Sequence, residues 1–476
     1  MGLVTPVDPV PVAELGKVHF VAIGGAGMSG IARIMLSRGV AVSGSDSAAS
    51  GLLDELAAAG ARVYLGHAAE NLGDADTVVV STAIRKDNPE LLAAQRRGLR
   101  VLHRAAALAS IMLGRQGIAV AGTHGKTTTT SMITTVLLHS GAEPSYVIGG
   151  ILAETGLGAA EGAGPAVVVE ADESDGSFLM LAPAAAVVTS VEADHLDNYG
   201  SLAEIEKAFA DFVRKITDGG LLLACADDHG SRVLTERVAP GVTALTYGTA
   251  ADASYRVTDI TAQGMRTALT VTGAADTALA GTGPVRLQIA VPGRHNALNA
   301  AAAFGLAVEL GVPPGEAAAG LAAYRGARRR MELKGEADGV QVIDSYAHHP
   351  TELAADLAAA REVAGGGRVI AVFQPHLFSR TRIFAKDFGA ALGLADEVVV
   401  LDIYAAREDP EPGVTGRLVS DAVPGGAVFM PDQRAVPAAA AALAKPGDLV
   451  LTMGAGDVTA LGPQIVAALR ARAGTS

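Results

Sequence analysis

One stretch, Ala121-Gly122-Thr123-His124-Gly125-Lys126-Thr127-Thr128-Thr129-Thr130, constrains this 476-residue chain more than any other. The apolar run Gly117-Ile118-Ala119-Val120 leads into it, and Ser131-Met132-Ile133-Thr134-Thr135-Val136-Leu137-Leu138 leads out with helical spacing. A strand, a Gly-rich turn and a helix N-terminus in that order point backbone N–H groups and a positive dipole end at an anion. A Lys followed by Thr adds a cation for phosphate and a hydroxyl for a divalent ion. Gly122, Thr123, His124, Gly125, Lys126, Thr127 and Thr128 are therefore expected to hold the phosphates of ATP. A strict G-x-x-x-x-G-K-[ST] loop needs Gly at position 120, where this chain has Val120. A Gly-rich turn before an ordinary helix is the competing reading.

Two later apolar runs behave alike. Pro165-Ala166-Val167-Val168-Val169 leads into Glu170-Ala171-Asp172-Glu173-Ser174-Asp175, and the run 184–191 leads into Glu192-Ala193-Asp194-His195-Leu196-Asp197. Continuous apolar strands belong in a buried parallel sheet, where ligands sit beyond the carboxyl ends of the strands. Both acidic clusters should then share one mouth with Lys126. Four carboxylates within six residues repel one another unless a cation answers them. Mg²⁺, or Mn²⁺, with ATP phosphates is the expected cation.

Upstream, the strand Lys17-Val18-His19-Phe20-Val21-Ala22-Ile23 ends in Gly24-Gly25-Ala26-Gly27-Met28-Ser29-Gly30, with a helix expected over 31–38. Gly25, Gly27 and Gly30 fit G-x-G-x-x-G, and a second strand, 40–45, ends at Asp46, about 20 residues on. Read alone, this fits a nicotinamide dinucleotide, a βαβ turn without ligand, or another diphosphate such as a nucleotide-sugar. Further βα units close a first domain near residue 115.

Length alone suggests about three domains. With a net charge of −13, generalised binding to nucleic acid or to an anionic membrane is not expected, so any anionic ligand depends on local basic residues. The single Cys225 sits in an apolar run and is expected to be a core thiol in a reducing compartment. No signal peptide or membrane span is evident, which predicts a soluble cytoplasmic protein.

From 246 to 290 the pattern alternates as β-structure. Pro292-Gly293-Arg294-His295-Asn296-Ala297-Leu298-Asn299 then precedes a helix expected over 300–310. Asn296 and Asn299 can share one helical face, and an amide can read an adenine edge; Asn296 as a helix cap is the alternative. Past Arg328, Arg329 and Arg330 the βα rhythm restarts, with strands expected at 341–346, 368–374, 397–404 and 449–453. Polar groups again follow strand ends: Asp344-Ser345-Tyr346-Ala347-His348-His349-Pro350, and Gln374-Pro375-His376 with Ser379-Arg380-Thr381-Arg382.

Read together and in order, these motifs resemble the Mur ligases of bacterial cell-wall synthesis along the whole chain. The resemblance implies three α/β domains. Residues 1–115 would be a Rossmann-like UDP-sugar domain, and 116–327 a central ATP-binding parallel sheet with an antiparallel addition. Residues 328–476 would be a Rossmann-like amino-acid domain. Within the family, Gly24-Gly25-Ala26-Gly27-Met28, His348-His349-Pro350-Thr351-Glu352 and Phe373-Gln374-Pro375-His376 look like members that add L-alanine to UDP-N-acetylmuramate.

By that resemblance Lys126 contacts the terminal phosphates, while Thr127, Glu173 and His195 ligate the metal, with Glu170 the alternative to Glu173. Asn299, with His295 and Asn296, holds adenine; Arg330 reaches the γ-phosphate and Asp344 the ribose or metal shell. His348 and Arg380 grip L-alanine, and His348 is a candidate base. Gly24, Gly25, Ala26, Gly27, Met28 and Ser29, with Ser45 and Asp46, cradle the UDP diphosphate in place of a dinucleotide. The implied reaction makes an acyl phosphate from the lactyl carboxylate and ATP, then an amide with L-alanine, in a monomer or homodimer with small-molecule partners only. Leu377 stands where some relatives carry Arg, which leaves Arg380 and Arg382 for the alanine carboxylate. The alternatives are a ligase that reattaches a recycled tripeptide to the same nucleotide-sugar and a nicotinamide-dependent oxidoreductase.

Overall fold

A computed structural model describes residues 3–406 and 408–474, and all their side chains except those of Ala26 and Asp197. The chain divides into two compact units, one of residues 1–258, 270–287 and 298–324, the other of 259–269, 288–297 and 325–476.

The first unit begins with β1 (Val18–Val21), α1 (Ala26–Ser37), β2 (Val42–Asp46), α2 (Gly51–Ala58) and β3 (Arg62–Leu65). It continues through β4 (Thr77–Val80), α3 (Pro89–Arg96), β5 (Arg100–His103) and α4 (Arg104–Met112). The five strands are all parallel, in the order β3-β2-β1-β4-β5. Strand order reverses between β1 and β4, which opens a crevice beyond their carboxyl ends. Helix α1 starts at Ala26, five residues before the expected 31, so Gly27 and Gly30 lie inside it. Packing explains the second glycine. A Cβ at Gly30 would meet Ala159 Cβ at 3.0 Å and Val147 Cγ1 at 3.1 Å, so only hydrogen lets the helix lie this close to the next sheet.

The second sheet is built from β6 (Gln116–Ala121), α5 (Lys126–His139), β7 (Ser145–Val147), β8 (Ala159–Ala160), β9 (Ala166–Glu170) and β10 (Ala185–Val188). Then come α6 (Leu196–Tyr199), α7 (Leu202–Val213), β11 (Leu221–Cys225), α8 (His229–Arg232) and β12 (Thr243–Gly248). Strands β13 (Tyr255–Gln263), β14 (Arg266–Gly273) and β15 (Val285–Ile289) precede α9 (Arg294–Glu309) and α10 (Pro314–Ala323). The sheet has ten strands, and its parallel core runs β12-β11-β10-β6-β9-β7. Strand β6 lies between β10 and β9, so the loop that leaves it faces the ends of both. Only two residues separate β13 from its neighbour β14, which makes that pair an antiparallel hairpin. Helix α5 buries a Thr-rich face by back-bonding: the hydroxyls of Thr130, Ser131 and Thr134 donate to the carbonyls of Lys126, Thr127 and Thr130 at 2.6–2.8 Å.

The second unit carries β16 (Glu332–Ala337), β17 (Val340–Ser345), α11 (Pro350–Ala364), β18 (Val369–Phe373), α12 (Phe378–Leu392) and β19 (Glu397–Val400). It ends with α13 (Arg417–Ser420), β20 (Val428–Phe429), α14 (Val436–Leu443), β21 (Leu449–Met453) and α15 (Leu461–Gly474). Its sheet, β16-β17-β21-β18-β19-β20, is parallel except for β16. The strand expected to reach 404 stops at Val400, because Asp402 turns its carboxylate onto the N–H groups of Ile403 and Gly416 at 2.9 and 3.0 Å.

Aliphatic side chains fill most of the cores, and with no Trp the largest wholly buried groups are Tyr146, Tyr247, Tyr255 and Tyr324. Among the described residues no helix is long and apolar enough to cross a membrane. Phe178 stacks on Phe212 at 5.0 Å and meets Phe209 edge-on at 5.3 Å. Replacing Phe212 by Ala is expected to destabilise the first unit by about 3–5 kcal/mol, read as a lowered urea midpoint with an unchanged m-value.

Candidate functional site

The phosphate loop leaves β6 at Ala121, and two glycines shape it. Gly122 (φ 134°) and Gly125 (φ 78°) occupy backbone conformations that L side chains avoid. A Cβ on Gly122 would collide with the Thr189 hydroxyl and lie 2.9 Å from the Thr189 nitrogen, and one on Gly125 would lie 2.7 Å from Asn299 Oδ1. The loop is moored to the end of β10: the Thr123 N–H donates to the Ser190 carbonyl at 2.9 Å and the His124 N–H to the Ser190 hydroxyl at 3.2 Å. Val120 pairs with Val187 and Glu170 inside the sheet, wholly buried. The position that is Gly in a longer loop is here the interior of a strand.

Each carboxylate of the 170–175 cluster is answered separately. Lys126 Nζ donates to the Gly122 and Thr123 carbonyls at 2.5 and 3.2 Å and to Glu173 Oε1 at 2.8 Å. Burial pushes the Glu173 carboxyl up while Lys126 pulls it back. Burial also works against the Lys126 charge, but Glu173, Asp172 and Glu170 outweigh it and keep the ammonium protonated. Glu170 accepts from the Thr127 hydroxyl at 3.1 Å and the Gly149 N–H at 2.9 Å. Asp172 is paired with Arg104. Burial alone would raise its carboxyl, yet Arg104, Lys126 and Ser174 together hold it well below the usual carboxylate range. Asp175 accepts from Thr82 at 3.1 Å and lies 3.6 Å from His103 Nε2.

A divalent ion fits this donor set. Among the described residues Glu173 Oε2 is buried without a hydrogen-bond partner, and His195 Nε2 lies 3.8 Å from Oε1 of the same carboxylate. The Thr127 hydroxyl and Glu170 add oxygen donors, and the Lys126 ammonium already stands where positive charge is wanted.

Beside the cluster lies a cavity of about 280 Å³, lined by Gly25, Gly27, Met28, Ser81, Arg104 and Asp172 among others. The Gly24 N–H donates to Asp46 Oδ2 at 2.9 Å, closing the turn at the mouth of β1.

In the second unit the ends of β17 and β18 carry an aromatic and cationic cluster. The Arg329 and Arg330 guanidinium carbons lie 4.8 and 4.9 Å from the Tyr346 ring centroid. The His348 ring meets Tyr346 at 5.3 Å and His376 at 6.1 Å, and His376 stacks on Tyr404 at 5.8 Å. His348 Nδ1 lies 3.1 Å from the Tyr346 carbonyl and 3.3 Å from Glu352 Oε2, both acceptors, so that nitrogen carries a proton. Arg380 is buried in the first turn of α12, behind Leu377, whose φ of 70° is uncommon for a side chain of that size.

Models of the Mur ligase family match along the chain: its catalytic domain at residues 17–116, its middle domain at 120–307 and its glutamate ligase domain at 329–456. The chain belongs to the Mur ligase family. Among Mur ligases it is 58% identical to the UDP-N-acetylmuramate–L-alanine ligase of Thermobifida fusca, over 98% of this chain and 100% of that one. It is 56% identical to the enzyme of the same name from Kineococcus radiotolerans, over 97% and 98%. The crystal structure of UDP-N-acetylmuramate-alanine ligase MurC from Thermotoga maritima superposes with a TM-score of 0.80 at 30% identity, covering 96% of this chain and 99% of that one. With the family model spanning the N-terminal glycines, the oxidoreductase reading falls away.

Most of the residues singled out in the first unit come together. The loop residues Gly122, Thr123, His124, Gly125, Lys126, Thr127 and Thr128 line one turn, Glu170, Glu173 and His195 face Lys126, and Asn299 abuts Gly125. The side chain of Ala26 lies outside the description; Gly25, Gly27 and Met28 line the cavity, and Ser29 is buried in α1.

Two expected contacts are corrected. Ser45 is wholly buried and donates to Glu90 Oε2 at 2.6 Å, so its hydroxyl serves an internal network and not a sugar. Asp344 is wholly buried with both oxygens accepting, from Thr452 at 2.7 Å and Thr459 at 2.6 Å, and so is not offered to a ribose. Asn296 donates to the Pro292 carbonyl at 2.7 Å, locking the turn before α9, and His295 Nε2 lies 3.5 Å from Asp356. Arg382 is paired with Glu411 at 3.1 Å, which leaves Arg380 as the more enclosed arginine of α12.

Sequence reasoning missed His103 and Arg104. The signal was present: His103 ends β5 and Arg104 follows it, and polar residues at strand ends had marked other parts of the site.

Gly125→Ala is expected to fold but to lose ATP binding by at least about tenfold, because the added methyl strains the loop and displaces Asn299; nucleotide titration by calorimetry reads this directly. Cys225 is buried, with its thiol pushed up to about 11 chiefly by burial. Cys225→Ala is therefore expected to keep full turnover, and the wild-type thiol to react with a disulfide reagent only on unfolding.

Proposed function

We propose that this chain joins L-alanine to the lactyl carboxylate of UDP-N-acetylmuramate, with ATP converted to ADP and phosphate. The observation that carries the reading is the pairing of Lys126 with Glu173 and of Thr127 with Glu170 beside the α1 cavity, in a chain collinear with alanine-adding relatives. Those relatives' names favour L-alanine over a recycled tripeptide as the incoming group.

Two anions must meet, the lactyl carboxylate and the ATP triphosphate, and their repulsion is the barrier the site has to lower. The N–H groups of the loop and the start of α5 cradle the β- and γ-phosphates, and Lys126 moves from Glu173 onto them. Thr127, Glu173 and His195 would hold Mg²⁺, with Mn²⁺ an admissible substitute, and the ion would supply positive charge to offset the triphosphate. Asn299 meets the adenine side of the nucleotide, and Arg330 approaches the γ-phosphate. Attack of the carboxylate on the γ-phosphorus gives an acyl phosphate. L-alanine attacks as the neutral amine, with His348 Nε2 taking its proton and Arg380 pairing with its carboxylate. Phosphate then leaves from the tetrahedral intermediate. The chain acts in the cytoplasm, where ATP is made available, as a monomer or homodimer.

The test is phosphate release in the presence of Mg²⁺ and ATP, with UDP-N-acetylmuramate and either L-alanine or the tripeptide L-alanyl-γ-D-glutamyl-meso-diaminopimelate. Turnover is expected with L-alanine and not with tripeptide; the reverse result overturns the reading. Lys126→Ala is expected to lower kcat by roughly 10²–10³-fold, with chelation of the metal abolishing turnover in the wild type.

A further inference from the structure

The cavity beside α1 presents an electrostatic problem. Glu170 and Asp172 both line it, and Arg104 is the one cation among its lining residues. A diphosphate carries two or more negative charges and cannot enter beside two carboxylates unless a cation meets it. The first turn of α1 offers N–H groups and a partial positive charge, a modest attraction by itself.

Arg104 stands beside that turn. Its Nη1 is 3.5 Å from where a Cβ would sit on Gly27, while its Nη2 is bound to Asp172. The side chain is 20% exposed and that of Asp172 35%, so both are shielded yet open to the cavity. A guanidinium held at one edge by a carboxylate still has donors along its other edges, and their plane matches phosphate oxygens. Asp172 in turn is fixed by the Ser174 N–H at 3.1 Å.

We infer that Arg104 grips the diphosphate of the nucleotide-sugar substrate, with Asp172 as the carboxylate that positions it. This rests on the ligase reading above and adds to it a specific anchor for that substrate. Arg104 spans from the first turn of α1 to the acidic cluster at the end of β9, so one side chain couples the nucleotide-sugar cradle to the metal and phosphate cluster.

Uridine diphosphate, which has the diphosphate but no lactyl carboxylate, is the probe. In the full-length chain, Arg104→Gln is expected to weaken its binding by calorimetry roughly 10- to 100-fold. The KM for UDP-N-acetylmuramate should rise by a similar factor, with the KM values for ATP and L-alanine changing by no more than about threefold. Arg104→Lys should lie between the two, since it keeps charge but not the fork. Asp172→Asn should weaken uridine diphosphate binding by roughly 3- to 10-fold, less than Arg104→Gln does, and raise the KM for UDP-N-acetylmuramate by a similar factor, an order that a merely structural role would not produce. Unchanged affinity for uridine diphosphate in an Arg104→Gln chain of normal thermal stability would overturn the inference, as would an equal loss of ATP affinity. If Arg104→Gln fails to fold, Arg104→Lys decides by the same criteria. A wild-type chain that binds uridine diphosphate but turns over neither substrate pair defeats the ligase reading alone, and the probe titration still judges Arg104.

Discussion

Everything in the first unit turns on one electrostatic constraint, the crowding of Glu170, Asp172, Glu173 and Asp175 at the end of one strand. Like charges so close are tolerable only if each meets a partner of its own. The fold supplies those partners from four directions: Lys126 from the phosphate loop, Thr127 and Gly149 around Glu170, Arg104 after β5, and Thr82 with His103 around Asp175. Three of those sources belong to different strand ends. The cluster therefore draws the loops of the first sheet onto the second, and the nucleotide-sugar cavity lies at that junction.

Parallel topology makes this convergence possible. In both sheets of the first unit the loops that carry chemistry leave the carboxyl ends of neighbouring strands. β6 lies between β9 and β10, so a loop leaving it meets the 170–175 cluster on one side and Thr189 and Ser190 on the other. Small residues supply the tolerances. Gly30 lets α1 approach Val147 and Ala159, and Gly122 lets the loop press on Thr189. The Mur ligase apparatus is thus a set of close approaches, each permitted by a missing side chain.

Much of this was legible in the chain because the signals were local. An apolar run followed by Gly-Thr-His-Gly-Lys-Thr states a strand, a turn and a helix within a dozen residues, and the acidic clusters announce their strand ends equally plainly. Long-range pairing was not legible. Ser45 and Asp344 both follow strand patterns that suggest a mouth, yet Glu90 in one case and Thr452 with Thr459 in the other claim their oxygens from far along the chain. Arg104 stands just past a strand end, but its pairing with Asp172, 68 residues away, is beyond the reach of periodicity. Helix α1 began earlier than expected because glycine, poor in helix propensity, is rewarded there by packing.

The aromatic content of the chain has an optical consequence. Trp is absent, and four of the eight Tyr residues are wholly buried in the cores. Indole emission is therefore absent from the native protein. A tryptophan introduced at the rim of the α1 cavity would be the sole indole in the molecule, and its spectrum would track nucleotide-sugar arrival without background from the rest of the fold.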